Sequence, residues 1–109
     1  MVDAYVLDDE GNPIAEPDLR KWSAWFNEGH RRVDATEVCG KWVSTVFLGI
    51  DHGFGGGPPI LWETMVFSNA KGRFMGDIGQ DLGCKRYCRL VDAKAGHVAT
   101  VAAVERGEI

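Results

Sequence analysis

The sequence lacks the features that mark membrane, secreted or disulfide-bonded proteins. No apolar run reaches the roughly 18–20 residues that a membrane-spanning helix needs. The first residues are acidic and do not have the basic and apolar regions of a signal peptide. Only three cysteines occur, Cys39, Cys84 and Cys88, and their spacing is not that of a disulfide framework. We therefore expect a cytoplasmic protein with free thiols and no membrane association.

Basic residues are also scarce. The 12 Lys and Arg residues are outnumbered by 16 Asp and Glu residues, which gives a net charge of −4, and the acidic excess lies within residues 1–50. A general nucleic-acid-binding protein needs a basic face that displaces counterions from phosphates, so this class is not expected. One basic cluster, Lys85, Arg86 and Arg89, could contact a small anion, although a solvated strand edge is the preferred interpretation.

Motifs for metals, nucleotide phosphates and covalent catalysis are missing as well. His30, His52, His97 and the cysteines show no CxxC, HxxxH or HExxH spacing, so we predict no metal site. The glycine-rich loop at 53–59, GFGGGPP, leads into a strand, whereas the P-loop and the dinucleotide loop lead into a helix. No GxSxG nucleophile pattern occurs. We expect neither a cofactor nor a resident metal.

Two apolar runs, Val43–Ile50 and Ile60–Phe67, dominate what is present. They are rich in Val, Ile, Phe, Trp and Thr and are bounded by Gly and Pro, a pattern that predicts strands. The short link between them has no room for a crossover helix, so the strands must be antiparallel if they pair. Both faces of each run are largely apolar, which favours inner strands covered on each side or at a subunit contact. A homo-oligomer is consistent with this pattern.

The remaining chain predicts one α+β domain, residues 1–109, with an antiparallel sheet and a helix near each end. An amphipathic helix of about four turns is predicted to start near Pro17 and Asp18, because apolar residues recur at helical spacing at Leu19, Trp22, Trp25, Phe26 and Val33. A second helix is predicted over 93–106, capped by Asp92. The other predicted elements are short strands at Ala4–Leu7 and Ile14, a hairpin turn at Cys39-Gly40-Lys41, a mobile glycine-rich excursion over about 68–85, an edge strand at Cys84–Leu90, and an apolar stripe of Ala95, Val98, Val101 and Val104 on the second helix.

Asp51, His52 and Phe54 form one candidate binding site, because they follow a buried strand beside the glycine-rich loop. An adjacent Asp and His could supply a general base or a metal ligand. The alternative is that Asp51 caps the loop and His52 bonds to its backbone.

Trp62 and Glu63 form the second candidate. Glu63 shares its strand face with Met65 and Phe67, so an inward-facing arrangement would bury a carboxylate. Such a group needs a partner, for which Arg86, Lys41 and His97 are the candidates. A structural ion pair and a ligand- or partner-binding role both remain open.

Five segments of the chain form a recognisable pattern. In chain order they are Trp25-Phe26, STVFLGIDH at 44–52, GPPILWETMVF at 57–67, Arg86-Tyr87, and Ala95-Gly96-His97. Together they resemble a widespread family of small, uncharacterised proteins encoded by tailed bacteriophages and prophages. The sequence departs from the family pattern in a longer, glycine-rich segment at 68–85 and in Cys88, where a small hydroxyl residue is more usual.

The resemblance implies a phage accessory protein that acts in the bacterial cytoplasm. It supplies no activity, so no catalytic residue is transferred. The leading hypothesis is a non-enzymatic protein that binds a host factor, in a counter-defence role. The alternatives are a nucleotide-binding or nucleotide-sequestering protein, with a pocket lined by Trp42, Trp62, Phe54 and His52, and a minor enzyme that uses Asp51, His52 and Glu63.

Overall fold

The computed structural model describes residues 3–29, 31–53, 56–68 and 81–109. These residues form one α+β domain with two antiparallel sheets and two helices, one near the N-terminus and one at the C-terminal end, as predicted. The elements in chain order are β1 Tyr5–Leu7, β2 Pro13–Ala15, α1 Leu19–Asn27, β3 Arg32–Val38, β4 Lys41–Phe47, β5 Trp62–Phe67, β6 Asp81–Tyr87 and α2 Leu90–Glu105.

The main sheet has the strand order β3-β4-β5-β6, and every neighbouring pair is antiparallel. The predicted apolar runs therefore supply the two inner strands, β4 and β5. The predicted bounds of both strands were too long at the loop. For β4 the reason is Gly49, which has a φ of 77° and ends the extended backbone. Beyond it, Ile50 turns away and forms an isolated bridge with Ala4 instead of continuing β4.

A tight turn at Cys39 and Gly40 joins β3 to β4. Both residues have positive φ, 51° and 76°. This left-handed backbone at two successive positions matches the twist of a two-residue hairpin. The predicted hairpin turn is confirmed, with Lys41 already part of β4.

Helix α2 covers one face of the main sheet and contacts all four of its strands. It begins at Leu90, earlier than predicted, and Arg89 occupies the cap position that was predicted for Asp92. The predicted apolar stripe was wrong in part, because Val98 is 68% exposed. The residues of α2 that face the sheet are Ala93, His97, Thr100 and Val104. The sequence did not reveal this buried side of α2, because two of its four residues, His97 and Thr100, are polar.

Helix α1 is shorter than predicted and lies toward the N-terminal hairpin. It has nine residues, is capped by the Asp18 carboxylate, and is followed by Gly29 at a φ of 84°. None of its residues is fully buried. The indole N–H of Trp22 donates to the carbonyls of Tyr5 and Gly49, and the Trp25 ring meets Phe47 edge-on at 5.7 Å. The helix therefore packs over one end of the sheet rather than across its face.

The segment predicted as a mobile excursion is described only in part. Strand β6 begins at Asp81, so residues 81–85 belong to the sheet and the prediction was wrong there. Residues 69–80 lie outside the described part of the chain. The predicted edge strand is confirmed in position but begins earlier and ends at Tyr87.

Candidate functional site

The carboxylate of Asp51 organises the loop that follows β4. Its Oδ1 accepts hydrogen bonds from the backbone N–H of Gly53 at 2.7 Å and of Ile60 at 2.8 Å. These two bonds lower the pKa of Asp51 below its ordinary value, because they stabilise the charged form. Asp51 thus closes the two ends of the loop onto each other, which is the capping role considered for it.

The neighbouring imidazole is also tied to the loop backbone. His52 Nδ1 lies 2.7 Å from the carbonyl oxygen of Ile50, and the His52 N–H donates to the Ile60 carbonyl. With Nδ1 engaged, the ring offers Nε2 as its remaining polar atom. The predicted third member of this site, Phe54, lies outside the described residues.

The two tryptophans assigned to a nucleotide pocket lie in the interior. Trp62 is 1% exposed and Trp42 is 8% exposed. They are also at opposite ends of the inner strand pair, since Trp62 is opposite Phe47 and Trp42 is opposite Phe67. Neither ring presents an open face on which a base could stack, so Trp62 is a core residue rather than part of a binding surface.

Glu63 pairs with Arg86, one of the three partners considered for it. Arg86 Nε donates to Glu63 Oε2 at 2.8 Å across the β5–β6 ladder, and the Cys84 thiol lies 3.3 Å from the same oxygen. The Glu63 side chain is 12% exposed and that of Arg86 is 47% exposed. The carboxylate therefore lies in a shielded position without being fully buried, and its contact raises the pKa of Arg86.

This ion pair borders the face of the main sheet that lies opposite α2, which we call the open sheet face. Its central side chains come from alternate positions of β4 and β5. The strand register places Ser44 beside Met65 and Val46 beside Glu63. Trp42, which is 8% exposed, lies on this side of the sheet opposite Phe67. The more accessible side chains that define the face are Ser44, Val46, Glu63, Met65, Phe67 and Arg86. All but Arg86 are partly exposed, and Arg86 is exposed, so an apolar centre with a charged margin is accessible.

A buried polar cluster on the other face of the sheet was missed by the sequence analysis. His97 of α2 is 2% exposed, with Nδ1 2.7 Å from Thr45 Oγ1 and Nε2 2.9 Å from Thr36 Oγ1. Thr45 Oγ1 also lies 2.6 Å from Thr64 Oγ1. Buried polar groups need such partners, and here a helix and three strands supply them. The only signal in the sequence was threonine at the inward positions of two otherwise apolar strands.

His97 forms one wall of a groove between β3 and α2. The groove has a volume of about 260 Å³ and also contains Asp34 and Glu105. Asp34 Oδ2 is 3.7 Å from His97 Nε2. Burial lowers the pKa of His97, and the Asp34 charge opposes this effect without reversing it. Because both ring nitrogens already have threonine partners, the geometry favours a structural role for this neutral histidine.

Gly96 of α2 and Tyr87 of β6 meet on the side of the sheet that α2 covers. A Cβ atom at Gly96 would overlap with the hydroxyl and ring of Tyr87. The Tyr87 ring therefore packs against the bare backbone of α2, where only glycine fits. Its buried hydroxyl has no hydrogen-bond partner among the described residues.

The described residues contain no group of three or more His, Cys, Asp or Glu side chains that could hold a metal ion. In the same part of the chain, neither helix has the length and apolar character needed to cross a membrane. Comparison of the chain with protein-family models, with curated proteins and with solved structures finds no match.

Proposed function

We propose that this protein is a non-enzymatic binding protein whose partner is a protein of the bacterial host. The observation that supports it is the open sheet face. There Val46, Met65 and Phe67 form a partly exposed apolar centre bordered by the Glu63–Arg86 ion pair. Accessible apolar surface with a polar rim is the usual composition of a protein-binding surface.

The engagement of the candidate catalytic side chains is consistent with this proposal. Asp51 is bonded to two backbone N–H groups, and His52 is bonded to the Ile50 carbonyl. Glu63 is paired with Arg86. These bonds give all three side chains a structural role in the fold. They leave His52 Nε2 open, so measured turnover is the observation that separates a binding protein from an enzyme. The resemblance to phage accessory proteins adds the class of partner, a host protein, with a host defence protein as the specific expectation.

Recovery of a partner from bacterial lysate tests the proposal. Immobilised wild-type protein is expected to retain a specific lysate protein that the Met65→Lys variant does not retain, because a charge at the centre of the open sheet face opposes desolvation. Ile14→Lys is the matched control, since Ile14 is 49% exposed and lies on β2, away from this face. The melting temperatures of all three proteins are measured in parallel.

The outcome also separates this face from the loop site. If the open sheet face is the binding surface, a His52→Ala/Phe54→Ala double variant still retains the partner. Loss of binding in the double variant, with Met65→Lys unaffected, would move the binding surface to the loop after β4. Retention of a nucleotide by the purified protein, or measurable turnover, would contradict the proposal altogether.

A further inference from the structure

Helix α2 carries apolar side chains on the side that faces away from the sheet. Val91 is 62% exposed and Val98 is 68% exposed. Together with Ala95, Ala99 and Ala102 they form what we call the outer face of α2. The opposite side of α2 is buried against the sheet. The outer face is therefore a second, exposed stripe of valine and alanine on a helix that is already packed on one side.

Charged residues border the outer face on each flank and at both ends. Lys94 and Glu105 are exposed and eleven positions apart, which is about three turns at 3.6 residues per turn, so they lie on the same flank. Asp92 and Arg106 are exposed and fourteen positions apart, which is about four turns, and they lie on the other flank. Each flank therefore has an acid at one end and a base at the other.

The two pairs have nearly the same midpoint along the helix, at Ala99 for Asp92 and Arg106 and between Ala99 and Thr100 for Lys94 and Glu105. An identical helix laid antiparallel across this point places Lys94 opposite Glu105 on one flank. It places Asp92 opposite Arg106 on the other flank. A two-fold axis repeats each contact, so four ion pairs would surround an apolar centre. Self-complementarity of this kind is what an isologous dimer requires.

We infer that the outer face of α2 binds the same face of a second copy of this chain, with the two helices antiparallel. Helix dipoles favour this orientation, because each positive N-terminus then meets a negative C-terminus. A parallel pair would set Lys94 beside Asp92 of the second copy, which is also a contact between opposite charges. The helix dipoles, rather than the ion pairs, therefore favour the antiparallel orientation. The inference concerns a different surface from the open sheet face and does not depend on the proposed function.

The groove between β3 and α2 adds a second contact for the same lysine. Asp34 and Glu105 both line this groove, which runs beside the flank that carries Glu105. The Asp34 side chain is 56% exposed and accessible to a cation. In the antiparallel dimer, the Lys94 ammonium of the second copy reaches Glu105 at the mouth of the groove, with Asp34 as a neighbouring acid.

The small size of the outer face of α2 limits the expected affinity of the dimer. Helix α2 has 16 residues and is therefore about 24 Å long. One helix pair of that length buries less than the roughly 1,600 Å² of a standard interface. Within one copy Asp92 already pairs with Arg89, and Arg106 with Glu108, but exposed ion pairs of this kind exchange at little cost. We expect a weak dimer with a dissociation constant of roughly 10–100 µM.

Sedimentation velocity of the full chain, from about 1 µM to about 500 µM, tests the inference at the concentrations that bracket this constant. The wild type is expected to shift from monomer to dimer across the range. Val98→Glu is expected to remain monomeric, because it places two carboxylates at the dimer axis. Ile14→Glu, an exposed apolar residue on β2, is the matched control and is expected to dimerise as the wild type does.

Charge exchange tests the orientation. Lys94→Glu and Glu105→Lys alone are each expected to weaken the dimer about tenfold. The double variant restores it if the helices are antiparallel, because each new lysine again faces a glutamate. In a parallel pair the double variant stays weak. The inference is overturned by a wild type that is monomeric throughout, by a Val98→Glu variant that still dimerises, by loss of the dimer in Ile14→Glu, or by failure of the double variant to recover.

Discussion

Thr45 holds the central position in the buried polar cluster. Its hydroxyl is within hydrogen-bond distance of both His97 and Thr64, whereas Thr64 reaches only Thr45 within this cluster. A buried polar atom that loses its partner keeps the full cost of its desolvation. The two threonines are adjacent, chemically identical and fully or almost fully buried, yet they are not equivalent.

Thr45→Val and Thr64→Val are therefore expected to differ in stability. Thr45→Val leaves His97 Nδ1 and the Thr64 hydroxyl without partners and should lower the free energy of unfolding by about 2–3 kcal/mol. Thr64→Val leaves the Thr45–His97 contact in place and should cost about 1 kcal/mol or less. Urea unfolding of both variants measures the difference. Equal losses would show that the cluster does not depend on Thr45.

The buried polar cluster explains why the buried side of α2 was not predicted from the sequence. Apolar periodicity identified β4 and β5 correctly, since inner strands are apolar along their length. The same criterion failed on α2, because it considers only apolar residues and therefore passed over the buried His97 and Thr100. A helix whose buried side carries polar residues can be recognised only when their strand partners are known, and those partners are distant in sequence. The Asp51 cap was among the anticipated arrangements because its partners are local.

At the scale of elements, Gly96 fixes how closely α2 approaches β6. Glycine within a helix normally costs about 1 kcal/mol relative to alanine, so its replacement should stabilise. Here the space that a Cβ would need is occupied by the Tyr87 ring. The close approach of helix and strand thus depends on a residue that is intrinsically unfavourable for the helix.

Gly96→Ala is accordingly expected to destabilise the protein, by about 2 kcal/mol or more, because the Tyr87 ring must leave its site. Thermal and urea unfolding give the sign directly. Ala95→Gly, at the exposed position one residue earlier, serves as the reference for helix propensity alone and should cost about 1 kcal/mol. An increase in stability for Gly96→Ala would mean that Tyr87 is free to move.

Helix α1 illustrates a different limit of sequence reasoning. Its N-terminus was predicted correctly, because Pro17 and Asp18 are local signals of a helix start, and Asp18 is the N-cap in the structure. Its length was overestimated, because Val33 continued the helical spacing although it belongs to β3. The positive φ of Gly29 ends the helical region in the folded chain. Local signals marked where this helix starts, whereas its end at Gly29 and the extended strand β3 that follows were not recognised.

At the scale of the whole molecule, His97 links stability to pH. Burial lowers the pKa of His97 below its ordinary value of 6.5, with the Asp34 charge as the opposing influence. The unfolded chain therefore binds a proton at a higher pH than the folded protein does. Since stability rises with pH wherever the unfolded state holds more protons, protonation in the acidic range favours unfolding.

We expect the free energy of unfolding to change little with pH above about 7 and to fall as the pH decreases through 6.5 toward the lowered pKa of His97. Denaturant titrations between about pH 7.5 and about pH 5, above the range in which most carboxylates titrate, measure this slope. His97→Gln removes the titrating group and should make this slope smaller than that of the wild type. An identical slope in both proteins would assign the acid sensitivity to other groups.

The position of α2 along the chain has a consequence for how the protein is made. All four strands of the main sheet are synthesised before α2, the helix that covers their apolar side. Until α2 leaves the ribosome, Val43, Phe47 and Val66 have no cover from that element, and the threonines have no histidine partner. A nascent sheet in this condition is open to aggregation and to capture by chaperones. Interrupted translation is therefore the stage at which this chain is most vulnerable, and completion of its C-terminal helix is the event that ends that exposure.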